Sequence, residues 1–275
     1  MTVTVLTENR PCRPARSAHG LSLHIQTGGR SILFDFGPDG DLLRENAEAL
    51  GVDLARVDLA VLSHGHDDHS GGLEAFLRAN DHAPVYLHRL AFAPHFSQRR
   101  EGLKRISPPP ALLDRYGSRL RLTDGVVSPE PGLTLFSDAE DTELFPGSNG
   151  TLFEETENGL IPDRFLHEQD LLIREEDKLF LFGGCAHRGI VNILRRGEAL
   201  AGRTPNAVFS GFHLTNPGLK RDEPEDFVRL VGAALARFPS RYFTGHCTGE
   251  GPYRILKEIL GDRLEYLGCG LRFTL

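Results

Sequence analysis

Ligand-type side chains are concentrated in one short run of this sequence. Residues 64–69 read His-Gly-His-Asp-Asp-His and come directly after an apolar segment that is predicted to be a strand. Because side chains alternate along an extended segment, His64 and His66 can point to the same side and bind one ion. A bend at Asp68 and His69 would turn two more ligands toward a neighbouring position. Imidazole and carboxylate together suit zinc, iron or manganese better than magnesium or calcium, so the run predicts a metal centre.

Two other interpretations of residues 64–69 involve no metal. The run could be a polar surface turn, or Asp68 or Ser70 could cap the start of a helix. Either interpretation would suffice for a single histidine. Three histidines and two aspartates within six residues at a strand end favour the metal centre, because such groups need partners where they are even partly buried.

Further ligand-type side chains follow predicted strands in the second half of the chain. They lie in glycine-containing turns and comprise Cys185, His187, His213, His246 and Cys247. Each could bind a metal, but each could instead be a buried histidine that bonds to backbone carbonyls or a small thiol in the core. The four cysteines, of which Cys12 and Cys269 are the other two, contain no Cys-x-x-Cys pair, so we expect thiols rather than disulfides.

Strand and helix patterns alternate along the chain. Short apolar or alternating runs predict strands at residues 3–7, 21–26, 31–36, 59–62, 85–87, 170–173, 179–182, 207–210 and 241–244. Apolar residues at helical spacing predict helices at residues 42–50, 70–78, 190–200, 224–237 and 253–260. Gly28 and Gly29 predict a hairpin between the second and third strands. This succession is typical of an α/β protein.

The segment between the two halves, at about residues 90–131, breaks this pattern. It contains three consecutive prolines, and residues 95–121 carry seven Arg and Lys side chains against two carboxylates. One interpretation is a solvated helical excursion, because charge runs are usually exposed surface. The other is a cap that presents cations to a phosphate or carboxylate of the substrate. The cations expected to bind substrate are Arg99, Arg100, Lys104 and Arg105.

Composition limits the class of protein. The chain has 275 residues, of which 40% are hydrophobic and 25% are charged, as in folded globular proteins rather than disordered ones. A net charge of -7 argues against nucleic-acid binding, which usually needs a basic domain. The N-terminal residues do not resemble a secretory signal, and no apolar run could span a bilayer. We therefore expect a cytoplasmic protein that acts on a small molecule, with neither nucleic acid nor membrane as a partner.

The run at residues 64–69 resembles the signature motif of the metallo-β-lactamase superfamily. Asp35, at the end of a predicted strand, is similar to the aspartate that supports the metal ligands in that family, although a lone aspartate there could also be a turn residue. The resemblance implies an αβ/βα four-layer sandwich, in which two mixed sheets are flanked by helices. It also implies a single domain over residues 1–275 with a cap-like insertion at about residues 90–131.

The same resemblance implies where the remaining ligands lie. His246 is similar to the last ligand of the superfamily, and Cys185 stands where the metal-bridging aspartate is usually found, with His187 two residues later. At least one of Cys185 and His187 should therefore bind metal, and the centre could hold one ion or two. A further histidine ligand of the family has no direct counterpart, and residues 167–170 are the nearest segment.

Four segments resemble one particular group within the superfamily. They are residues 18–22, 184–192, 211–214 and 245–249. The group consists of proteins similar to 7,8-dihydropterin-6-methyl-4-(β-D-ribofuranosyl)-aminobenzene-5′-phosphate synthase, and the resemblance covers essentially the whole chain. Its name implies transfer of a pterin to a phosphorylated ribosyl-aminobenzene. Similarity of fold is by itself weak evidence about chemistry.

Three functions are compatible with these patterns. The first is a hydrolase for a small anionic substrate, in which the metal lowers the pKa of a bound water to supply hydroxide. Asp68 would hold that hydroxide or a second metal, His213 could bind metal, substrate or a proton, and His19 could relay protons or be plain surface. The second is a pterin-transferring synthase, in which the metals activate a diphosphate leaving group. The third is a metal-containing protein that binds a ligand without catalysis.

Overall fold

The computed structural model describes residues 1–11, 14–140, 142–216 and 218–275. The expected thiol of Cys12 lies outside these residues. In chain order the strands are β1 (Thr2–Thr7), β2 (Ser22–Thr27), β3 (Arg30–Phe34), β4 (Leu59–Val61), β5 (Val85–His88), β6 (His95–Arg99), β7 (Gly102–Arg105), β8 (Leu120–Thr123), β9 (Val126–Val127), β10 (Leu133–Phe136), β11 (Leu152–Thr156), β12 (Gly159–Pro162), β13 (Asp170–Glu175), β14 (Lys178–Phe182), β15 (Ala207–Phe209), β16 (Thr215–Asn216), β17 (Arg221–Asp222), β18 (Arg241–Thr244), β19 (Leu264–Tyr266) and β20 (Arg272–Thr274). The α-helices are α1 (Gly40–Ala49), α2 (Asp67–Ser70), α3 (Leu73–Ala79), α4 (Ala111–Tyr116), α5 (Ile190–Ala201), α6 (Glu225–Ala236) and α7 (Glu250–Leu260).

The chain divides into two compact units. Unit 1 comprises Met1–Ala93, Ile106–Asp124 and Leu267–Leu275, and unit 2 comprises Pro94–Arg105 and Gly125–Tyr266. The segment at about residues 90–131 is thus shared between the two units. A single domain with that segment as a cap-like insertion stays a prediction.

Unit 1 is built on a seven-stranded mixed sheet in the order β20-β1-β2-β3-β4-β5-β8. Strands β20, β1, β2 and β3 pair antiparallel, whereas β3, β4, β5 and β8 pair parallel. The predicted hairpin between β2 and β3 is confirmed, and it turns at Gly28 and Gly29, whose φ angles of 54° and 81° glycine adopts without strain. Helix α1 begins after Asp39, whose carboxylate accepts two backbone N–H groups. Helices α1 and α3 share one buried apolar core with the sheet.

Unit 2 contains a second seven-stranded mixed sheet, in the order β19-β18-β15-β14-β13-β10-β9. Strands β14, β15, β18 and β19 run parallel, so their C-terminal ends lie at the same edge of the sheet. The buried, almost wholly apolar sequences of β14, β15 and β18 are typical of parallel strands that are covered on both faces. Residues of α5, α6 and α7 contribute to the apolar core of this unit. A four-stranded sheet, β12-β11-β6-β7, also belongs to unit 2.

The helices of the described chain are short and amphipathic. Helices α5 and α6 each have 12 residues, with apolar side chains buried on one face and polar ones exposed on the other. No helix within the described ranges is long and apolar enough to cross a membrane.

The predicted strands and most predicted helices are confirmed to within a few residues at each end. The start predicted for the helix at residues 70–78 is wrong. The structure has two helices there, α2, which begins at Asp67, and α3, and residues Gly71 and Gly72 separate them. A Cβ atom at Gly71 would lie 2.0 Å from the carbonyl oxygen of Pro38, so two backbones approach here as only glycine allows. The solvated helical excursion is wrong too, because that segment contains the four strands β6 to β9 and its helix α4 has only 6 residues.

His24 is a buried histidine in the sheet of unit 1. It lies on β2 between Thr4 of β1 and Leu33 of β3, and its Nε2 atom is 2.8 Å from the hydroxyl of Ser31. Burial and then the positive charge of Arg272 lower the pKa of His24 from 6.5 to about 4. The folded chain therefore keeps His24 neutral at a pH where the unfolded chain binds a proton.

Replacement of His24 by glutamine should flatten the acid side of the stability curve. The contribution of neutral His24 to the free energy of unfolding is complete above pH 6.5 and is lost as the pH falls toward 4. At about pH 5 the loss amounts to about 2 kcal/mol. Between about pH 7 and pH 5, His24→Gln should therefore lose less unfolding free energy than the wild type in urea titrations. His82→Gln, at an exposed position, is the control and should follow the wild type. Equal slopes for all three proteins would contradict this prediction.

Candidate metal centre

Unit 1 gathers the ligand-type run into one group of side chains, the histidine cluster, which consists of His64, His66, Asp68 and His69. The ring centroid of His64 is 4.6 Å from that of His66 and 4.2 Å from that of His69. One ligand atom from each of His64, Asp68 and His69 lies within 4.8 Å of the others. The three imidazoles are at most 4% exposed, and Asp68 is partly buried. The structure thus brings these four predicted ligands together.

The connection between β4 and α2 positions the histidine cluster. His64 and His66 lie in this connection, whereas Asp68 and His69 lie in α2. The connection packs closely on a neighbouring segment, since a Cβ atom at Gly65 would lie 2.1 Å from the carbonyl oxygen of Ala91. Glycine at the second position of the run is therefore a packing requirement.

Asp35 binds the histidine cluster through its carboxylate. It lies directly after β3, is fully buried, and has a φ of 61°. Its Oδ1 atom accepts the backbone N–H of Ser63 at 2.7 Å, and its Oδ2 atom accepts the Ser63 hydroxyl at 2.8 Å. Oδ2 also lies 2.7 Å from Nδ1 of His69. Because a carboxylate only accepts, Nδ1 of His69 carries the proton and Nε2 keeps its lone pair for a metal.

His19 lies beside the histidine cluster within unit 1. Its Nε2 atom is 3.3 Å from Oδ2 of Asp68, and its Nδ1 atom is 3.3 Å from Nδ2 of Asn9. The side chain of His19 is 44% exposed, so its ring can exchange protons with water. Of the two interpretations that the sequence left open, the contact with Asp68 favours the proton relay over plain surface.

Three neighbouring parallel strands of unit 2 end in the turns that carry the other candidate ligands. Cys185 and His187 follow β14, His213 follows β15, and His246 follows β18, and all four are buried. Ala186, His213 and His246 have φ angles of 54°, 47° and 51°. This left-handed conformation costs energy in residues other than glycine, and it is concentrated at functional sites in proteins.

The side chain of Asn149 and the ring of Phe165 hold His187 in one orientation. Its Nδ1 atom is 2.9 Å from Oδ1 of Asn149, whose Nδ2 donates to the carbonyl of His187 at 2.8 Å. This pairing places the proton on Nδ1 and leaves the lone pair on Nε2. The ring of Phe165 stacks on His187 with centroids 4.4 Å apart.

The buried carboxylate of Glu168 anchors the same turn through its backbone. Its two oxygens accept the N–H groups of His187 and Arg188 at 2.7 and 2.9 Å. Burial raises the pKa of Glu168, and these two N–H groups offset part of that rise by favouring the charged form. Glu168 thus fixes where the turn after β14 lies.

A second group of ligand-type atoms, the thiol cluster, consists of Cys185, His213 and Cys247. One ligand atom from each lies within 4.8 Å of the others, and all three residues are at most 6% exposed. Burial by itself raises the pKa of Cys247, but the nearby Cys185 thiol and His213 imidazole outweigh burial and hold that pKa well below its ordinary value. Cys185, Cys247 and Cys269 are outside any disulfide, as the sequence predicts.

The donor atoms of both clusters fit a transition metal. In unit 1 buried imidazole nitrogens lie beside a carboxylate, a set that binds zinc, iron or manganese. In unit 2 thiol sulfurs lie beside an imidazole, and zinc accepts this set as well. Neither ring nitrogen of His213 has a hydrogen-bond partner among the described residues, whereas buried polar atoms in proteins nearly always have one. A metal ion would supply the missing partner.

The four cations predicted to bind substrate lie on the hairpin of β6 and β7. Register places Arg99 opposite Gly102, and Lys104 opposite Ser97, on one face of the hairpin. Arg105 belongs to the other face, and Arg100 lies in the turn. Arg100, Lys104 and Arg105 are exposed and Arg99 is partly buried, so the four do not converge on one face.

The segment that the sequence offered for a further histidine ligand takes part in a different contact. In unit 2, Nε2 of His167 lies 3.3 Å from Oδ2 of Asp163, and Nδ1 of His95 lies 2.9 Å from the same oxygen. The rings of His95 and His167 are 3.7 Å apart between centroids. A buried carboxylate therefore pairs with both imidazoles.

Sequence reasoning did not single out three residues that position the candidate ligands. They are Ser63, Asn149 and Glu168. Ser63 directly precedes the run at residues 64–69, which is a usable signal for a supporting role. Asn149 and Glu168 are ordinary polar residues at some distance in sequence from His187, and nothing in their spacing indicates that they bind its turn.

Comparison with known proteins identifies relatives of this chain. The sequence profile of the family described as the Metallo-beta-lactamase superfamily matches residues 19–197. A relative from Methanocaldococcus jannaschii, named 7,8-dihydropterin-6-methyl-4-(beta-D-ribofuranosyl)-aminobenzene-5′-phosphate synthase, is 28% identical over 269 residues, which cover 94% of this chain and 90% of the relative. A ribonuclease from Thermus thermophilus is 35% identical over 80 residues, which cover 29% of this chain and 19% of the ribonuclease.

Solved structures share the fold. The crystal structure of a metal-dependent hydrolase of the beta-lactamase superfamily matches with a TM-score of 0.83 at 25% identity and covers 100% of this chain and 99% of its own. Zinc-bound PqqB from Methylobacterium extorquens matches with a TM-score of 0.59 at 16% identity and covers 100% of both chains. The predicted fold class, with two mixed sheets flanked by helices, is confirmed.

Replacement of Asp35 by asparagine should weaken zinc binding more than it destabilises the fold. The amide has one accepting oxygen in place of two, so it cannot hold both Ser63 and the proton-bearing Nδ1 of His69 in the same way. Loss of such support lowers metal affinity by about 10–100-fold, which competition with a chelating dye measures. Asp58→Asn is the matched control, because Asp58 also accepts a backbone N–H in unit 1, that of Ser31 at 2.7 Å. Wild-type zinc affinity in Asp35→Asn would show that Asp35 does not support the ligands.

Proposed function

We propose that this chain, which belongs to the metallo-beta-lactamase superfamily, is a metal-dependent hydrolase that acts on a small anionic substrate. Its membership follows from the match of the family profile to residues 19–197. The observation that carries the proposal is the histidine cluster, in which ligand atoms of His64, Asp68 and His69 lie within 4.8 Å of one another and Asp35 orients His69. The expected metal is zinc, or else iron or manganese, with one or two ions per chain.

The histidine cluster supplies the ligands of unit 1: His64, His66, Asp68 and His69. The sequence-based prediction adds candidate ligands from unit 2, which are His246 and at least one of Cys185 and His187. When bound, such a metal lowers the pKa of a water ligand toward neutrality and polarises the electrophile. The contacts of His69 with Asp35 and of His187 with Asn149 support this assignment, because each places the ring proton on Nδ1 and so makes Nε2 the nitrogen that would bind a metal.

Asp68 and His19 are the groups that would move protons in the hydrolase. Oδ2 of Asp68 is 3.3 Å from Nε2 of His19 and 4.0 Å from Nε2 of His69. Asp68 therefore lies between a buried candidate ligand and a histidine that is 44% exposed. A proton accepted by the carboxylate can pass to His19 and from there to water.

The anionic nature of the substrate is inferred from the hairpin of β6 and β7. In a chain with a net charge of -7, this hairpin presents the exposed cations Arg100, Lys104 and Arg105. Guanidinium groups suit phosphates and carboxylates because they donate two parallel hydrogen bonds. A phosphate- or carboxylate-bearing substrate is therefore inferred from the charge of this hairpin, not from convergence of its cations on one face.

A pterin-transferring synthase is the second candidate function. The Methanocaldococcus jannaschii relative that bears a synthase name aligns with 94% of this chain at 28% identity, so the two chains share more than the metal motif. In a synthase the same ligands would activate a diphosphate leaving group, and an aryl acceptor would attack in place of water. The hydrolase is placed first because the solved structure that matches with a TM-score of 0.83 is described as a metal-dependent hydrolase of the same superfamily.

Isotopically labelled water distinguishes the two candidates. Zinc-, iron- and manganese-loaded protein would be incubated in water labelled with ¹⁸O, with phosphoesters, lactones and thioesters as hydrolase substrates. A pterin methyl diphosphate with ribofuranosyl-aminobenzene phosphate tests the synthase. A hydrolase incorporates one labelled oxygen into its product, whereas a synthase yields the unlabelled condensation product. Tight ligand binding with stoichiometric metal but no turnover would instead identify a ligand-binding protein.

Replacement of His66 by alanine should abolish bound metal and activity together. The imidazole lies 4.6 Å from that of His64 between ring centroids, and its loss removes one nitrogen donor from the histidine cluster. Mass spectrometry of metal content and the hydrolysis assay measure the two losses. His82→Ala, an exposed histidine of the same unit, should retain both. Full metal content in His66→Ala would contradict the assignment of His66 as a ligand.

A further inference from the structure

We propose that the thiol cluster, Cys185, His213 and Cys247, is a soft-metal site of its own within unit 2. It would bind one zinc or another thiophilic ion such as cadmium through two sulfurs and one ring nitrogen. This assigns Cys247 and His213 as ligands, and it places Cys185 in the thiol cluster. The proposal does not depend on the hydrolase function, because all three donors belong to unit 2.

The parallel strands of unit 2 explain why these donors meet. Strands β14, β15 and β18 are direct neighbours in the sheet, and Phe182, Phe209 and Phe243 lie side by side near their C-terminal ends. The three donors follow these phenylalanines closely in sequence. Cys185 comes three residues after Phe182, and His213 and Cys247 come four residues after Phe209 and Phe243, respectively. Parallel strands bring such residues to one edge of a sheet, which is where open α/β sheets place their ligands.

The backbone of the neighbouring turn leaves space for the thiol of Cys247. A Cβ atom at Gly211 would lie 2.4 Å from Sγ of Cys247, so any other residue at this position would displace the sulfur. The N–H of Gly211 donates to the carbonyl of Gly184 at 2.7 Å, which joins the turns after β14 and β15. The N–H of Phe212 donates to the hydroxyl of Thr248 at 3.0 Å, which joins the turns after β15 and β18.

His213 gives the independent sign of a ligand. His213 is only 6% exposed, and neither of its ring nitrogens has a hydrogen-bond partner among the described residues. An imidazole that is buried without a partner loses the hydrogen bonds it makes in water. One of its ring atoms lies within 4.8 Å of both sulfurs, so an ion bound between the three donors restores a partner. Its φ of 47° shows that the backbone is strained to hold the ring there.

The donor set selects the kind of ion. Two thiolates and one imidazole form a site that zinc uses with an open fourth position, and soft thiolates prefer zinc over manganese or magnesium. The sulfurs are within reach of one another without a disulfide between them. The three donor atoms lie up to 4.8 Å from one another. A modest shift of these side chains would bring all three to a zinc ion placed between them, with Zn–S at about 2.3 Å.

Cadmium titration of reduced protein that has been stripped of metal tests the proposal. The double variant His64→Ala/His66→Ala removes the two histidines that begin the histidine cluster, and it keeps all three donors of the thiol cluster. We expect one equivalent of cadmium to produce the ultraviolet charge-transfer band of bound thiolates in this variant. Cys247→Ser in the same background should roughly halve the band, because one of two thiolates is removed, and His213→Ala should weaken binding.

Cys269→Ser is the matched control, because Cys269 is also a buried thiol outside any disulfide but lies in unit 1. Its titration should match that of the parent protein. Absence of the band in the double variant would overturn the proposal. A full band in Cys247→Ser would overturn it as well, and so would a Cys185–Cys247 disulfide in the metal-free protein under reducing conditions.

X-ray absorption at the zinc edge provides a second measurement that requires no cysteine variant to fold. The double variant loaded with one equivalent of zinc should show two sulfur neighbours at about 2.3 Å and at least one nitrogen neighbour. A shell that contains only nitrogen and oxygen would contradict the site. Loss of hydrolysis in the double variant concerns the proposed function alone, so failure of one proposal is distinguishable from failure of the other.

Discussion

The carboxylate of Asp35 is the group on which the local structure of unit 1 depends. A buried carboxylate is costly unless several donors compensate for the lost water, and Asp35 obtains them from Ser63 and His69. Its backbone N–H also donates to the carbonyl of Val61 at 2.8 Å, so the ends of β3 and β4 are joined at the same residue. Since Ser63 precedes the run of ligands and His69 ends it, a single side chain fixes the run at both ends. The geometry of the histidine cluster is thus set by protein contacts.

In unit 2 a different buried carboxylate holds a turn that carries candidate ligands. Glu168 is also a buried carboxylate, but it accepts two backbone N–H groups of the turn after β14, whereas Asp35 contacts a ligand side chain directly. The ring of His187 is oriented separately, by Asn149 and Phe165. A carboxylate held by backbone groups fixes the position of a turn without fixing a proton on any ligand. Asp35 therefore determines which ring nitrogen of His69 carries the proton. Glu168 instead fixes the backbone position of His187.

The parts of this fold that could be predicted from sequence are those that depend on local pattern. Apolar runs placed the strands, and the spacing of His64, His66, Asp68 and His69 after β4 was enough to predict that they gather. Other features depend on contacts between distant segments. The break between α2 and α3 lies where Gly71 closely approaches Pro38, and charge alone did not indicate that β7 pairs with β6 and β6 with β11. The role of Glu168 required knowledge of which turn it faces.

Cys185, which stands where the family resemblance places a bridging aspartate, has neighbours that the sequence around it does not reveal. A thiol at the end of β14 would be an isolated substitution if its neighbours were apolar. Its neighbours are instead Cys247 and His213, which lie at the ends of the next two strands within 4.8 Å. Gly211 leaves room for the second sulfur, and the left-handed backbone of His213 turns an imidazole toward both. The ends of β14, β15 and β18 thus carry two thiols and an imidazole, whereas the histidine cluster of unit 1 has nitrogen and oxygen donors that do not discriminate zinc from iron or manganese. The two units differ in donor chemistry, and the thiol cluster is the one that favours zinc.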